Sequence, residues 1–195
     1  QKSFKMIKIR SMIVNADTTG VQSTSNDDMR ITYIGKFIRK FKLDELSQLI
    51  NVFIGQMSFV GPRPNVIEEV SLYSKEELRL LQVRPGITDF SSIIFSDEGD
   101  ILNGSIDPDL DYNQLIRPGK GYLGIFYIEK RNFILDIQLI LLTILAIISK
   151  KKSLKLISKI IKKYEGSKYL IELSKREEAL TPTPPPGMNE VVHSR

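Results

Sequence analysis

The chain has no cysteine and no tryptophan, and its single histidine, His193, falls in a proline-rich C-terminal stretch. These absences exclude disulfides, thiol nucleophiles, cysteine-ligated zinc and a histidine general base. The longest apolar run, Phe133 to Ser149, is interrupted by Asp136, and the uncharged stretch after that acid is shorter than the ~20 residues that cross a bilayer as a helix. No segment reads as a secretory signal peptide. Any chemistry must therefore run on carboxylates, hydroxyls, Lys, Arg and a bound ion. The 195 residues, 42% of them hydrophobic, can bury one sizeable core and fit a single domain.

Charge is unevenly placed. The net value is +5, yet seven lysines fall in the fourteen residues from Lys150 to Lys163 with no acid among them. Such a block is drawn to anionic surfaces. Nucleic acid is the weaker candidate, because basic residues are not interleaved with aromatics and no binding motif is present. On one face of the same segment stand Leu154, Ile157, Ile160, Ile161 and Tyr164. A helix apolar on one side and polybasic on the other is expected to lie in a lipid interface, the competing reading being a surface helix that covers the protein core.

The most informative stretch is Arg39 to Pro64, RKFKLDELSQLINVFIGQMSFVGPRP. Asp44 and Glu45 are the only acids between Asp28 and Glu68, and Arg39, Lys40 and Lys42 lie within six residues of them. Apolar residues recur at helical spacing from Ile34 to Phe41 and again from Leu46 to Phe53, out of phase through Lys42-Leu43, so the helix is expected to break there. Asp44 then falls at the start of the second helix, where free N–H groups favour an ionised carboxylate able to act as a nucleophile. Glu45 stands close enough to share a hard divalent cation such as magnesium. An Asp in this position also serves as a simple cap. In Gly61-Pro62-Arg63-Pro64, two fixed φ angles restrict the guanidinium and suit it to bidentate phosphate binding, where the plain alternative is a proline turn.

These residues carry a resemblance. Arg30-Ile31-Thr32, Gly35, Arg39, Leu43-Asp44-Glu45-Leu46, Gln48-Leu49, Asn51-Val52, Gly55, Met57-Ser58 and Val60-Gly61-Pro62-Arg63-Pro64 resemble the core signature of the bacterial sugar transferases, the monotopic polyprenyl-phosphate phosphoglycosyl transferases. Phe4 to Met12, Arg84-Pro85-Gly86-Ile87-Thr88 and Phe133 to Thr143 are similar as well, so the likeness covers roughly residues 3 to 148. It implies an α+β fold, mainly helical with a few short strands, at the cytoplasmic face of a bacterial inner membrane. It also implies transfer of a phosphosugar from a UDP-sugar to polyprenyl (undecaprenyl) phosphate through an aspartyl intermediate, with Mg2+. Asp44 and Glu45 take the catalytic and metal roles, and Arg63, Arg39, Arg84, Lys8 and Arg10 become candidate phosphate ligands. A homo-oligomer is compatible with this reading. The opening residues already match the middle of the family pattern, so the resemblance implies an upstream membrane-inserted helix. The competing readings are a non-catalytic membrane-surface adaptor and an inactive transferase fragment.

Three departures from the pattern stand out: Ser47 where Pro is frequent, Gln56 where Asp is frequent, and Asp89-Phe90-Ser91-Ser92 after the Arg84 turn. Elsewhere a short strand or extended segment is expected over residues 4–14, a polar loop over 15–29 and a helix opening at Arg30. An amphipathic helix is expected over 66–83, interrupted near Ser71-Ser74, with Glu68, Glu69, Glu76 and Glu77 on a solvated face. Residues 96–120 read as a surface loop, since Asp107, Asp109 and Asp111 lack the glycine and distal Glu of a calcium loop. The catalytic domain is expected over 1–168, including membrane-surface helices over 132–168. Residues 169–195 are expected to form a proline-rich tail, disordered from 179.

Overall fold

Phe90 to Phe95 reads FSSIIF, and neither side of this run is left in water: Phe90, Ser91, Ile93, Ile94 and Phe95 are all buried. The computed structural model describes residues 3–16, 28–41 and 43–193. In the first part of the chain come α1 (Tyr33–Lys40), α2 (Leu43–Leu46), α3 (Leu49–Phe53), β1 (Ser58–Val60), α4 (Ile67–Ser71), a 3₁₀ segment (Glu77–Gln82) and β2 (Gly86–Thr88). The second part holds α5 (Phe90–Ile94), α6 (Glu98–Ile101), α7 (Pro108–Asp111), a π turn (Tyr112–Ile116), α8 (Arg117–Lys130), α9 (Phe133–Ile148), α10 (Lys150–Lys163) and α11 (Lys168–Lys175). The expected architecture is present, mainly helical with two short strands.

Short α5 is the hub, packed by α8, α9 and α10. Asp89 starts it: one carboxylate oxygen accepts the Ser92 N–H at 2.7 Å, and the Ser91 and Ser92 hydroxyls donate to the same side chain. Leu123, Phe126 and Tyr127 of α8, Leu135, Leu139 and Leu142 of α9, and Leu154, Ile157 and Ile161 of α10 close the core around it. At ~25 cal/mol per Å² of apolar surface removed from water, this burial is the main force holding the helices together.

The two strands pair in parallel, Ser58 opposite Gly86 and Val60 opposite Thr88. A Cβ on Gly86 would sit 2.1 Å from the Gly61 nitrogen, so glycine is what lets the chain after β1 lie against β2. Pro62 stays in register with β2, its carbonyl accepting the Gly86 N–H at 3.0 Å.

Several expectations are corrected. Of the two forms expected for residues 4–14, no strand is formed; one antiparallel bridge joins Met12 to Ile31. The helix expected at Arg30 begins at Tyr33, capped by the Thr32 hydroxyl, which accepts the Gly35 N–H at 2.9 Å. Arg30 instead pairs with Asp28 at 2.6 Å. Of the expected polar loop, residues 17–27 lie outside the described residues, as does Lys42 at the expected helix break. The 66–83 helix is interrupted where expected, dividing into α4 and the 3₁₀ segment, and Ser74 and Glu77 cap each other there: Glu77 N–H donates to Ser74 Oγ at 3.0 Å and Ser74 N–H to Glu77 Oε2 at 2.9 Å. Glu77, expected on a solvated face, is 1% exposed and holds Arg117 at 2.7 Å.

Residues 96–120 are not a loop. They contain α6, α7, the π turn and the start of α8, with Tyr112, Asn113, Ile116 and Arg117 buried. Pro118 reads as a breaker but sits in the first turn of α8, where its missing N–H has no intrahelical partner to lose. The apolar face of α10 is likewise not free for lipid, since Leu154, Ile157 and Ile161 are core residues. The tail also differs from expectation: α11 packs on α8 and α10, and Pro185 and Pro186 are buried. Thr183 N–H donates to Gln114 O at 3.1 Å, Gln114 Nε2 to Val192 O at 2.8 Å, and the Ser74 hydroxyl to Pro186 O. Among the described residues no helix is long and apolar enough to cross a membrane.

The Glu77–Arg117 pair yields a prediction. Glu77→Ala leaves a guanidinium buried without its carboxylate and is expected to cost about 3–5 kcal/mol of stability, read from urea denaturation midpoints. A loss below about 1 kcal/mol, the range of an exposed ion pair, would show that the pair does not hold α8 to the 3₁₀ segment.

Candidate active site

Asn51 of α3 is fully buried and its whole amide is engaged. Its Oδ1 accepts the Ile7 N–H at 3.0 Å, while its Nδ2 donates to Lys5 O at 3.0 Å and to Gln56 Oε1 at 2.7 Å. One side chain thus does for the N-terminal segment what a neighbouring strand would have done. Ser47 adds to the clamp, its hydroxyl lying 3.0 Å from Ile7 O. Two of the three departures from the family pattern, Ser47 and Gln56, are therefore structural hydrogen-bonding residues.

The clamp delivers Lys8 to Asp44. The Lys8 ammonium lies 3.6 Å from Asp44 Oδ2, and Ile9 N–H donates to the Asp44 carbonyl at 3.3 Å. Asp44 is 5% exposed, on a helix of only four residues. A single turn carries little dipole, so the full charge of Lys8 matters more to this carboxylate than the helix end does. Glu45, one residue on, accepts from Arg63 at 2.7 Å. Burial pulls the Arg63 guanidinium down, but Glu45 and, farther off, Glu98 and Asp89 more than offset it, so Arg63 is held above its ordinary range.

Arg39 comes from α1 and donates through Nε to Ser11 Oγ at 3.0 Å. Burial lowers its pKa, opposed by the Asp44 charge. Asp44, Glu45, Lys8, Arg39 and Arg63 all line one open cavity of 410 Å³. Arg10 and Arg84 do not: both are exposed and stand outside its wall.

The far wall holds residues that sequence reasoning missed. Glu69, Glu98, Tyr112, Lys120, Ser91 and Ser92 face the same space. Lys120 lies 2.5 Å from Glu98 and 4.9 Å from the Tyr112 ring centroid. Burial pushes the Tyr112 hydroxyl up to about 12 and also raises the Glu69 carboxyl, each opposed by Lys120. Lys120 is held above its ordinary range, Tyr112 and Glu98 outweighing its burial. Apart from the Ser91-Ser92 departure no local signal marks these residues, because they converge from three short helices (α4, α5 and α6), a π turn and the first turns of α8.

Carboxylates define what the cavity can hold. Among the described residues no group of three or more His, Cys or acidic side chains gathers into a metal cage. Asp44 and Glu45 provide two hard oxygen donors at an open site, a donor set that fits a magnesium ion completing its shell with water and phosphate oxygens.

Over residues 1–150 the sequence matches the profile described as bacterial sugar transferase. The chain belongs to the bacterial sugar transferase family. It is 34% identical over 143 residues to the uncharacterized sugar transferase EpsL of Bacillus subtilis, covering 73% of this chain and 62% of that one. It is 36% identical over 152 residues to the galactosyl transferase CpsE of Streptococcus agalactiae, covering 72% and 30%. To the UDP-glucose:undecaprenyl-phosphate glucose-1-phosphate transferase of Xanthomonas campestris it is 34% identical over 158 residues, covering 77% and 30%. The chain thus spans less than two thirds of the length of these relatives. In this bacterial sugar transferase, α10 and α11 lie outside the matched region and still close the core that carries the site.

Asn51 is the testable support of this geometry. Asn51→Ala is expected to deprotect the Ile7 amide in hydrogen exchange and to cost about 1–3 kcal/mol, the range for leaving buried polar groups unpaired. If the Ile7 amide kept its wild-type protection, the N-terminal segment would be held by something other than this carboxamide.

Proposed function

We propose that this sugar transferase moves a phosphosugar from a UDP-sugar to polyprenyl phosphate at the cytoplasmic face of a bacterial inner membrane, with Asp44 as the nucleophile. The observation that carries the reading is Asp44 itself: a carboxylate almost closed to solvent, 3.6 Å from an ammonium, in the wall of an open cavity shared with Arg39 and Arg63. A buried acid beside cations in a cavity is arranged for charge transfer to a ligand more than for solubility.

In the first step an Asp44 oxygen forms a bond to the phosphorus next to the sugar, and the bond to the bridging oxygen breaks, releasing UMP. In the second step an oxygen of the polyprenyl phosphate attacks that phosphorus, the aspartyl–phosphorus bond breaks, and Asp44 is regenerated as a carboxylate. No proton is gained or lost overall. Splitting the transfer lets one nucleophile, Asp44, serve a water-soluble donor and a lipid acceptor in turn.

Lys8 holds the Asp44 carboxylate in place and gives the incoming phosphate a cation. Arg63 orients the phosphate oxygens, with Glu45 fixing its guanidinium in advance of binding. Arg39 takes charge on the other side of the cavity. Magnesium, held by Asp44 and Glu45, would supply charge neutralisation of the diphosphate and of the departing UMP. Arg10 and Arg84, outside the cavity wall, are left the peripheral role of drawing anionic substrates towards it.

The reading is tested with the full-length protein in detergent or vesicles, supplied with magnesium, undecaprenyl phosphate and a panel of UDP-sugars. Wild type is expected to release UMP with one sugar preferred, and Asp44→Asn to lose at least about 10³-fold of that rate, with chelation by EDTA abolishing the wild-type signal. Hydroxylamine should release the phosphosugar from donor-treated wild type, as it does from an acyl phosphate, and find none on Asp44→Asn. Equal UMP release by the Asn variant would reject the nucleophile. Failure of every sugar in the panel to give release would favour a non-catalytic adaptor.

A further inference from the structure

A second cavity, of 490 Å³, opens between α1, α5 and the junction of α9 with α10. It meets the carboxylate cavity along a common wall of Arg39, Ser92 and Ser96. Its own lining is different in kind, with cations at Lys36 and Lys150 and an apolar side formed by Ile31, Ile93, Ala146 and Ile147.

The charge balance of this lining favours an anion. Three cations, Lys36, Arg39 and Lys150, face two acids, Asp97 and Asp100. Asp97 is held twice over, by Lys150 at 2.5 Å and by Arg176 at 3.4 Å. A phosphate arriving here gains attraction from Lys36 and Arg39 without having to break the Asp97 cluster. Burial already works against the Arg39 charge, and an anion alongside relieves that cost.

Volume and composition fit an amphiphile. The cavity falls within the ~300–1,000 Å³ of small-molecule sites, one side polar and the other apolar. The helices that frame it also expose Ile34 and Phe37 on α1 and Ile144 and Ile148 on α9, so a chain leaving the cavity meets apolar surface. We infer that this second cavity is the acceptor site, taking a lipid phosphate monoester with its phosphate at Arg39 and Lys36 and the first part of its apolar chain against Ile31 and Ile147.

The inference rests on the transferase reading and adds the route of the second step. The attacking oxygen must reach a phosphorus carried on Asp44 while the sugar still fills the carboxylate cavity. A separate chamber joined at Arg39 gives the acceptor that approach. Donor and acceptor need not displace one another, and Arg39 faces both phosphates in turn.

The test uses the full-length protein in lipid nanodiscs, with Lys36→Ala and Ala146→Phe, neither of which touches the Asp44 cavity. Donor chemistry is followed as exchange of labelled UMP into UDP-sugar without acceptor, and transfer as a function of undecaprenyl phosphate concentration. Both variants are expected to raise the acceptor KM at least about tenfold, the scale of one lost charge-assisted contact or a filled chamber, with exchange kept within about twofold of wild type. An unchanged acceptor KM, or exchange and transfer falling together, would overturn the assignment. A diazirine-bearing polyprenyl phosphate should label the peptide containing residues 143–150, and inorganic phosphate should not prevent it. Protection by inorganic phosphate at equal concentration would mark a general anion site, and labelling confined to other peptides would reject the chamber. If wild type shows neither exchange nor transfer, the transferase reading fails on its own, and the labelling pattern still decides whether this chamber holds a lipid phosphate.

Discussion

One buried carboxamide sets the geometry on which the site depends. Asn51 sits where three pieces of chain meet: the N-terminal segment at Lys5 and Ile7, its own short helix, and the turn at Gln56 that leads into β1. The backbone of Asn51 also accepts the Gln56 and Met57 N–H groups, at 2.9 and 3.1 Å. Because leaving a buried amide group unpaired is costly, all three pieces are tied to one another. Lys8 follows from the first, Asp44 and Glu45 stand on α2 just before the second, and Arg63 comes after β1, beyond the third.

What this fixes is a set of matched charges held slightly apart from solvent. Asp44 faces Lys8 and Glu45 faces Arg63, each partner drawn from a different part of the chain. At rest the two carboxylates are nearly neutralised, which limits the desolvation penalty of an acid buried to this degree. In the proposed reaction a diphosphate entering the cavity would offer Lys8 and Arg63 a second set of oxygens beside the carboxylates that already hold them in position.

The site could be read from the sequence where its residues are close in the chain. Asp44, Glu45 and the Pro-Arg-Pro turn lie within twenty-one residues, and their types and spacing survive as local signals. The far wall could not be read. Lys120 stands 22 residues from Glu98, and its neighbours Gly119, Gly121 and Pro118 look like a turn when they in fact form the start of α8. A Cβ at Gly121 would come within 2.9 Å of Pro186, so the glycine that reads as a helix breaker is a docking surface for the tail. The same tertiary contact explains why the proline-rich tail is placed along the protein: its prolines fill a gap that only the folded helix creates. Glu77 was hidden in a similar way, its acid reading as surface because its partner Arg117 is forty residues distant.

The lysine-rich helix shows how amphipathicity alone leaves the choice of partner open. In α10 the apolar stripe is used by the protein, buried on α5 and α9, and the lysines form its outer rim. The exposed apolar surface lies elsewhere: on α1 at Tyr33, Ile34 and Phe37, and along α9 at Phe133, Ile134, Leu141 and Ile148. A largely apolar helix such as α9 has one stripe in the core and a second left over, and no pattern in its sequence distinguishes them. The division of labour follows from packing. The helix with the stronger contrast is turned inward at its apolar face and offers charge outward, while the more uniformly apolar helix keeps an apolar face exposed beside the second cavity.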